Sequence, residues 1–272
     1  MPTTADKQQL TVLAAAAHPD DIEFGMAGTL LLLGASGAEL HMWNLANGSC
    51  GTAMLSKDEI VKVRRQEAQR SADIARAELH EPLVDDFQIY YEPDLLAKVA
   101  AVVRSIAPDI ILAPSPDDYM EDHQNACRLL VTAAFVRGMR NFETDPPVDP
   151  IDKDVVIYHA MPHGLCDSMR RMVRPGYYVD IKDVLQRKRL MLSAHQSQAE
   201  WLDKSQGMNA YVNDMLDMGR LVGNISGRYE YAEGWRRHSL IGFSGEDTDP
   251  LKNLLEGDCW IDPEYERSLI RS

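Results

Sequence analysis

The sequence predicts an α/β protein, a Rossmann-like three-layer α/β/α sandwich with a mostly parallel sheet. Short apolar runs at residues 10–17 and 110–113 have the length and composition of strands that are buried on both faces. Longer segments with helical periodicity, such as residues 56–79 and 93–107, alternate with these runs as in βαβ units. A polar cluster directly follows the first run, at the strand end where open parallel sheets bind ligands.

Composition favours one large domain. The chain has 272 residues, of which 45% are hydrophobic, enough to fill a single core. We predict one domain over residues 1–245 and an acidic carboxyl-terminal extension over residues 246–272. The 28 Lys and Arg residues against 42 Asp and Glu residues give a formal net charge of -14, which repels a phosphate backbone. Nucleic acid is therefore not an expected partner.

The sequence carries no targeting signal that we recognise. Its first ten residues, MPTTADKQQL, lack the apolar core of a signal peptide, and no apolar run approaches the roughly 20 residues of a membrane span. We therefore expect a cytoplasmic protein without membrane contact. The four cysteines lack C-x-x-C spacing, which argues against a disulfide framework or a structural zinc ribbon. They are Cys50, Cys127, Cys166 and Cys259.

The predicted elements follow one another along the chain. The first strand and a helix that contains Gly28 lead to a second strand at residues 38–45. Ser56 and Glu59 form a capping-box pattern, which predicts the start of the next helix. Residues 229–238 are dense in aromatic and charged groups and suit either a sugar-packing surface or an oligomer contact. Further strands are predicted at 84–89, 110–113, 155–158 and 177–181, and further helices at 93–107, 124–137 and 183–201.

The polar cluster after the first strand has the spacing of a metal site. On a first turn after a strand, His18 and Asp21 can direct an imidazole nitrogen and a carboxylate oxygen to one ion, which leaves Asp20 free for proton transfer. Pro19 stiffens the turn. The alternative is an ordinary acidic helix start, which the helix dipole and capping also favour.

A second polar loop follows the strand at 110–113 and ends at His123. A lone histidine at a helix start is commonly a surface or capping residue, but two strand ends of one sheet can converge. His18, Asp21 and His123 would then form a two-histidine, one-carboxylate site with an open position, the pattern of catalytic zinc.

Several motifs occur in the order in which one family carries them. The segment 17–21 resembles the AHPDD signature of the LmbE-like, or PIG-L, family of zinc-dependent N-acetyl-sugar deacetylases. The further matches are the R-x-x-E pattern of Arg64 and Glu67, the strand at 107–112, Glu121-Asp122-His123 in the place of H-x-D-H, and residues 188–198. Together these ordered matches are far more specific than any one of them.

The resemblance implies zinc, or another divalent metal, on His18, Asp21 and His123, with Asp20 as the catalytic base. It also implies that Arg64 and His195 contact the substrate. For Arg64 the alternative is an ordinary helix pair with Glu67, and for His195 it is a helix position with a bond to a neighbouring residue.

The sequence departs from the family at Met120. The family has a histidine there, associated with charge stabilisation or proton delivery, and Met120 can supply neither. Either another histidine (His159, His163, His195 or His238) enters the site, or Asp20 handles both proton transfers, or the activity is lost or changed. The first option is the one we favour.

The resemblance implies hydrolysis of an N-acetylated sugar or sugar conjugate to acetate and a free amine, by a homo-oligomer. A second reading is a metal-binding, non-hydrolytic sugar-binding or interaction protein of the same fold. A nucleotide-binding Rossmann enzyme is a weaker alternative, because the first turn reads His-Pro-Asp-Asp instead of G-x-G-x-x-G.

Overall fold

The computed structural model describes residues 9–198 and 210–269, and an eight-stranded sheet is its centre. The strands are β1 Thr11–Ala16, β2 Glu39–Asn44, β3 Glu78–Leu79, β4 Ile110–Ala113, β5 Val156–Ala160, β6 Tyr177–Asp180, β7 Ala232–Arg237 and β8 Cys259–Ile261. Their spatial order is β3-β2-β1-β4-β5-β7-β6-β8. The first five strands run parallel, and β7, β6 and β8 join through antiparallel pairs.

Helices cover both faces of the sheet, which confirms the predicted α/β fold class. They are α1 Asp21–Gly25, α2 Ala27–Ala35, α3 Lys57–Ala75, α4 Pro93–Ile106, α5 Glu121–Phe135, α6 Leu185–Ser193, α7 Ala210–Ser226, α8 Pro250–Leu254 and α9 Pro263–Ser268. Among the described helices, none has both the length and the apolar character needed to cross a membrane.

The sheet separates two hydrophobic cores. Successive side chains of a strand point to opposite faces, so Val12 and Ala14 join one core while Leu13 and Ala15 join the other. All four are completely buried. A strand with both faces buried has no polar alternation, which is why β1 could be predicted from a continuous apolar run.

Helix α2 is docked at its start by a carboxylate from the far end of the chain. The backbone amides of Gly28 and Thr29 each donate to Glu233 of β7 at 2.7 Å. Lys188 of α6 donates to the same carboxylate at 2.5 Å, and the side chains of Lys188 and Glu233 are each only 3% exposed. A Cβ at position 28 would lie 2.9 Å from Glu233 Oε1 and 2.5 Å from Ile181, so this close approach requires glycine.

Three local predictions differ from the structure. Helix α3 has the predicted capping box at Ser56 and Glu59, but it ends at Arg76, whose φ of 59° is left-handed, so the chain enters β3 where we predicted helix. The predicted strand at 84–89 is a loop whose Val84 forms only an isolated bridge with Ala46. Residues 232–237 form β7, in which Trp235 is completely buried, so this stretch packs inside the sheet.

The carboxyl-terminal segment contributes to the same sheet. Strand β8 pairs with β6, and Leu251 and Leu255 are buried in the core. Asp249 accepts hydrogen bonds from Tyr158 and Tyr177 at 2.6 and 2.7 Å. The described part of the predicted acidic extension, up to residue 269, is therefore packed onto the fold and is not a free tail. The domain boundary at residue 245 stays a prediction.

The strand order positions the functional site. From β1, the chain proceeds first to β2 and β3 on one side and later to β4 and β5 on the other. Loops that leave neighbouring parallel strands on opposite sides of such a switch point open a crevice at their carboxyl ends. The loops after β1 and β4 meet at this crevice.

Candidate active site

The turn after β1 carries the first part of the site. His18 and Pro19 leave the strand, and Asp20 has a φ of 107°, a left-handed conformation that is sparsely populated for residues other than glycine. Asp21 starts α1, and its Oδ2 accepts the backbone amide of His18 at 2.7 Å. The turn thus directs the imidazole of His18 and the carboxylate of Asp21 to the same side.

The three predicted metal ligands come together. Asp21 Oδ2 lies 3.6 Å from His18 Nδ1 and 3.4 Å from His123 Nε2, and one ligand atom from each residue lies within 4.8 Å of the others. Ligand atoms about 2.1 Å from a tetrahedral zinc ion are about 3.4 Å apart. Two imidazoles and one carboxylate at these separations fit a divalent transition metal.

Each of the two candidate ligand histidines has its other ring nitrogen next to a separate aspartate. His18 Nε2 lies 2.9 Å from Asp122 Oδ2, and His123 Nδ1 lies 3.0 Å from Asp118 Oδ1. Such pairs fix the ring orientation and the tautomer of a metal-ligating histidine. Asp122, two residues after Met120, therefore orients His18.

The carboxylates also set the protonation of this cluster. Burial lowers the pKa of His18, but Asp122 and Asp21 outweigh it and raise this pKa to about 9. Asp21 and Asp118 likewise hold the pKa of His123 well above its usual value, against burial. Because a metal binds neutral imidazole, a metal would displace these protons, and its affinity would fall with falling pH.

Asp20 lies beside the ligands and is only 3% exposed. Tyr211 of α7 donates to its Oδ2 at 2.9 Å, and Arg64 Nη2 lies 3.4 Å from its Oδ1. Burial, aided by Asp21, raises the pKa of Asp20, while Arg64 and Tyr211 oppose this shift. A buried carboxyl with a raised pKa, held by polar partners, is suited to accept and release a proton.

Arg64 is 2% exposed, and its guanidinium contacts the turn after β1, not the side chain of Glu67. Its guanidinium donates to the carbonyl of Pro19 and to the side chain of Gln198. A Cβ on Gly48, whose φ is +79°, would lie 2.8 Å from Arg64 Nε, so the loop after β2 needs glycine for the arginine to pass. Glu67 accepts from Ser197, and the ordinary helix pair considered for Arg64 is not formed.

His195 lies behind this turn. It is completely buried, and its Nε2 lies 3.0 Å from Oε1 of the equally buried Glu23. Burial lowers the pKa of His195, but Glu23 outweighs it and the net shift is upward. His195 is not among the described residues that line the cavity. Its contact with substrate stays a prediction, and the contact that the structure has is the one with Glu23.

A cavity of 520 Å³ opens over the cluster. Its described lining includes the predicted residues His18, Asp20, Asp21, Arg64 and His123 together with Met120 and Gln198. Four aromatic rings also line it, those of Phe24, Phe87, Tyr119 and Tyr211. The carboxylates of the lining outnumber its single arginine: they are Asp20, Asp21, Asp86, Asp118 and Asp214.

One of the four histidines considered as replacements at Met120 lines this cavity. His163 follows β5, and its ring centroid lies 6.1 Å from that of Tyr119, which itself lies 5.6 Å from that of His123. His159 and His238 contact each other at 2.9 Å and line a second cavity. His195 is buried as described above.

Two functional contacts were missed from the sequence. Tyr211 lies 191 residues from Asp20, and no local pattern links them. Asp118 precedes His123 by five residues, so the expectation that a metal-ligating histidine has a carboxylate partner could have found it.

Comparison with known proteins gives the family. The model of the family described as PIG-L: GlcNAc-PI de-N-acetylase matches residues 13–135. Diacetylchitobiose deacetylase of Thermococcus kodakarensis is 30% identical over 194 residues, which are 69% of this chain and 69% of that protein. The chain belongs to the PIG-L family. The family match covers the ordered motifs in the first half of the sequence.

Proteins named for different activities are similar to this chain. N,N'-diacetylchitobiose deacetylase from Pyrococcus horikoshii superposes with a TM-score of 0.72 at 24% identity, over 90% of both chains. 4-Oxalmesaconate hydratase of Pseudomonas putida is 25% identical over 190 residues, 66% of this chain and 70% of that protein. The relatives therefore include two reaction types, deacetylation and hydration, and the chemistry of the site has to distinguish between them.

Proposed function

We propose that this PIG-L protein is a metal-dependent hydrolase that removes the N-acetyl group of an amino sugar or sugar conjugate. The observation that carries the proposal is the convergence of His18, Asp21 and His123 beside Asp20 in one cavity. The relatives named as sugar deacetylases support it. We propose zinc as the metal, with another divalent ion as the alternative.

The metal, when bound, would polarise the acetyl carbonyl and make a water molecule more acidic. Asp20 accepts the water proton at a carboxylate oxygen as the water oxygen bonds to the acetyl carbon. Tyr211 and Arg64 hold Asp20 in place, and Arg64 also holds the carbonyl of Pro19. Asp122 and Asp118 keep the two ligand histidines oriented.

The carbon–nitrogen bond then breaks, and the departing amine takes a proton. Asp20 can return the proton it accepted, and His163, which lines the same cavity, is a second candidate donor. The products are acetate and a free amino sugar. Hydrolysis requires no group outside this set, so we favour it over a binding protein without turnover.

The charge of the cavity favours a sugar over an unsaturated acid. Among the described lining residues, five carboxylates outnumber the positive charges of one arginine and a bound divalent ion, and such a surface disfavours a substrate with several carboxylates. A neutral sugar meets no such repulsion, and its amine product carries a positive charge that the cavity attracts. Exposed rings of Phe87 and Tyr119 can pack against a sugar face.

The test is release of acetate from a panel of N-acetylated sugars and conjugates, by metal-free protein with and without added zinc. We expect zinc-dependent release that Asp20→Asn lowers by about 100-fold or more, as for loss of a general base. Asp214→Asn, which removes an exposed carboxylate from the same cavity, is the matched control and should keep turnover.

His163→Gln separates the two proton donors. A lower turnover number with an unchanged KM would assign the donor role to His163, whereas an unchanged rate would leave it to Asp20. Wild-type turnover by Asp20→Asn would overturn the proposed mechanism. The hydratase reaction would be supported instead by two results together. These are hydration of an unsaturated carboxylic acid, measured as a loss of its absorbance, and no release of acetate from any sugar. The cytoplasmic location and the homo-oligomer remain predictions.

A further inference from the structure

A second histidine and carboxylate cluster lies at the edge of the sheet. Strands β2 and β3 pair in parallel with His41 opposite Glu78, and His80 follows β3 directly. His41 Nδ1 lies 2.8 Å from His80 Nε2 and 3.8 Å from Glu78 Oε2. The two rings are stacked, with centroids 5.0 Å apart.

From this geometry we propose a second divalent-metal site, formed by His41, Glu78 and His80. One ligand atom from each residue lies within 4.8 Å of the other two. The two separations from His41 Nδ1, 2.8 and 3.8 Å, lie on either side of the separation of about 3.4 Å between ligands of a tetrahedral ion. Small side-chain rotations would equalise them. Imidazole and carboxylate ligands select a first-row transition ion such as Zn²⁺.

Two neighbouring side chains lie against this cluster. Glu39 Oε1 lies 3.8 Å from Nε2 of His41, the ring nitrogen that faces away from His80. Arg65 donates to the backbone carbonyl of His80 at 3.1 Å and fixes the chain there.

This site is separate from the candidate active site. None of His41, Glu78 and His80 is among the described residues that line the active-site cavity. His41 is buried, whereas the Glu78 side chain is 67% exposed, so an ion can enter from solvent. A bound ion would join β2 to the two-residue edge strand β3. Three protein ligands leave a fourth position for water, which makes the ion exchangeable.

The experiment counts zinc ions per chain by calorimetric titration of metal-free protein. The double variant Asp21→Ala/His123→Ala removes two of the three candidate active-site ligands, so binding at the second site is measured alone and does not depend on the proposed deacetylase function. We expect this variant to bind one ion per chain, with a rise in its melting temperature. Adding His80→Gln or Glu78→Gln should abolish both effects. Glu81→Gln changes a neighbouring carboxylate that faces Arg65, and should leave both unchanged.

Two results would overturn the inference. One is an Asp21→Ala/His123→Ala protein that binds no zinc up to millimolar concentration while its circular dichroism matches the wild type. The other is a bound ion that persists in both the His80→Gln and the Glu78→Gln backgrounds. Glu78 is exposed, so its substitution tests the site even where His80→Gln impairs folding.

Discussion

Acid should destabilise this protein through His159, a histidine of β5 that is 4% exposed. Its Nδ1 lies 2.9 Å from the carbonyl oxygen of Pro114, and its Nε2 lies 2.9 Å from His238 Nδ1. Burial lowers the pKa of His159 to about 4, helped by the charges of His238 and Arg236. The folded protein therefore keeps this ring neutral in conditions that protonate it in the unfolded chain.

The sign and size of the effect follow from that difference. Between pH 6.5 and about 4 the unfolded chain holds the extra proton, so the free energy of unfolding falls as the pH falls. At about 1.4 kcal/mol per unit of pKa, the full loss is about 3 kcal/mol, of which about 2 kcal/mol falls between pH 7 and 5. Below pH 4 both states are protonated and His159 adds no further loss.

The assay is urea denaturation of wild type and His159→Asn at pH 7 and pH 5, with a chelator present so that metal release does not contribute. We expect the wild type to lose about 2 kcal/mol more than the variant between these pH values. His163→Asn removes an exposed histidine and should lose as much as the wild type. An equal loss in His159→Asn and wild type would refute the reasoning.

Three further outcomes follow from buried contacts. Lys188→Met leaves the charge of Glu233 buried with only two amide partners, so unfolding in urea should show a loss of about 3–5 kcal/mol, partly recovered by adding Glu233→Gln. Asp122→Asn removes the carboxylate that orients His18, and zinc titration should show about 10–100-fold weaker binding at the candidate active site. Arg64→Lys cannot hold Pro19 and Gln198 together, and kcat/KM on a cleaved sugar should fall about tenfold or more, whereas an unchanged value would exclude a role for the guanidinium.

The candidate metal ligands could be predicted from sequence because they depend on short-range features. His18 and Asp21 lie within five residues of the end of β1, His123 lies at the start of α5 after the loop that leaves β4, and parallel strands bring their carboxyl ends to one edge of the sheet. The strand predictions for β1 and β4 needed only a continuous apolar run. The motifs that resemble the family contain the same candidate ligands.

The parts that could not be predicted depend on distant partners or on single backbone conformations. Tyr211 reaches Asp20 across 191 residues, and nothing near either residue indicates the contact. The end of α3 depends on the left-handed conformation of Arg76, which its sequence does not require. Trp235 lies in a stretch whose aromatic and charged composition resembles a binding surface, yet tertiary packing makes it the interior of β7.

Because α2 is held by Glu233, the candidate active site depends on residues from the distant second half of the chain. The two amides of α2 and the carboxylate that they bind are about 205 residues apart in sequence. A chain that stopped at residue 135, where the family match ends, would keep His18, Asp21 and His123 but lose the anchor of α2, the helix that comes shortly after Asp21. The family motifs alone are thus insufficient to form the site. Mutations in β7, which carries none of the three candidate metal ligands, can alter the site by releasing α2.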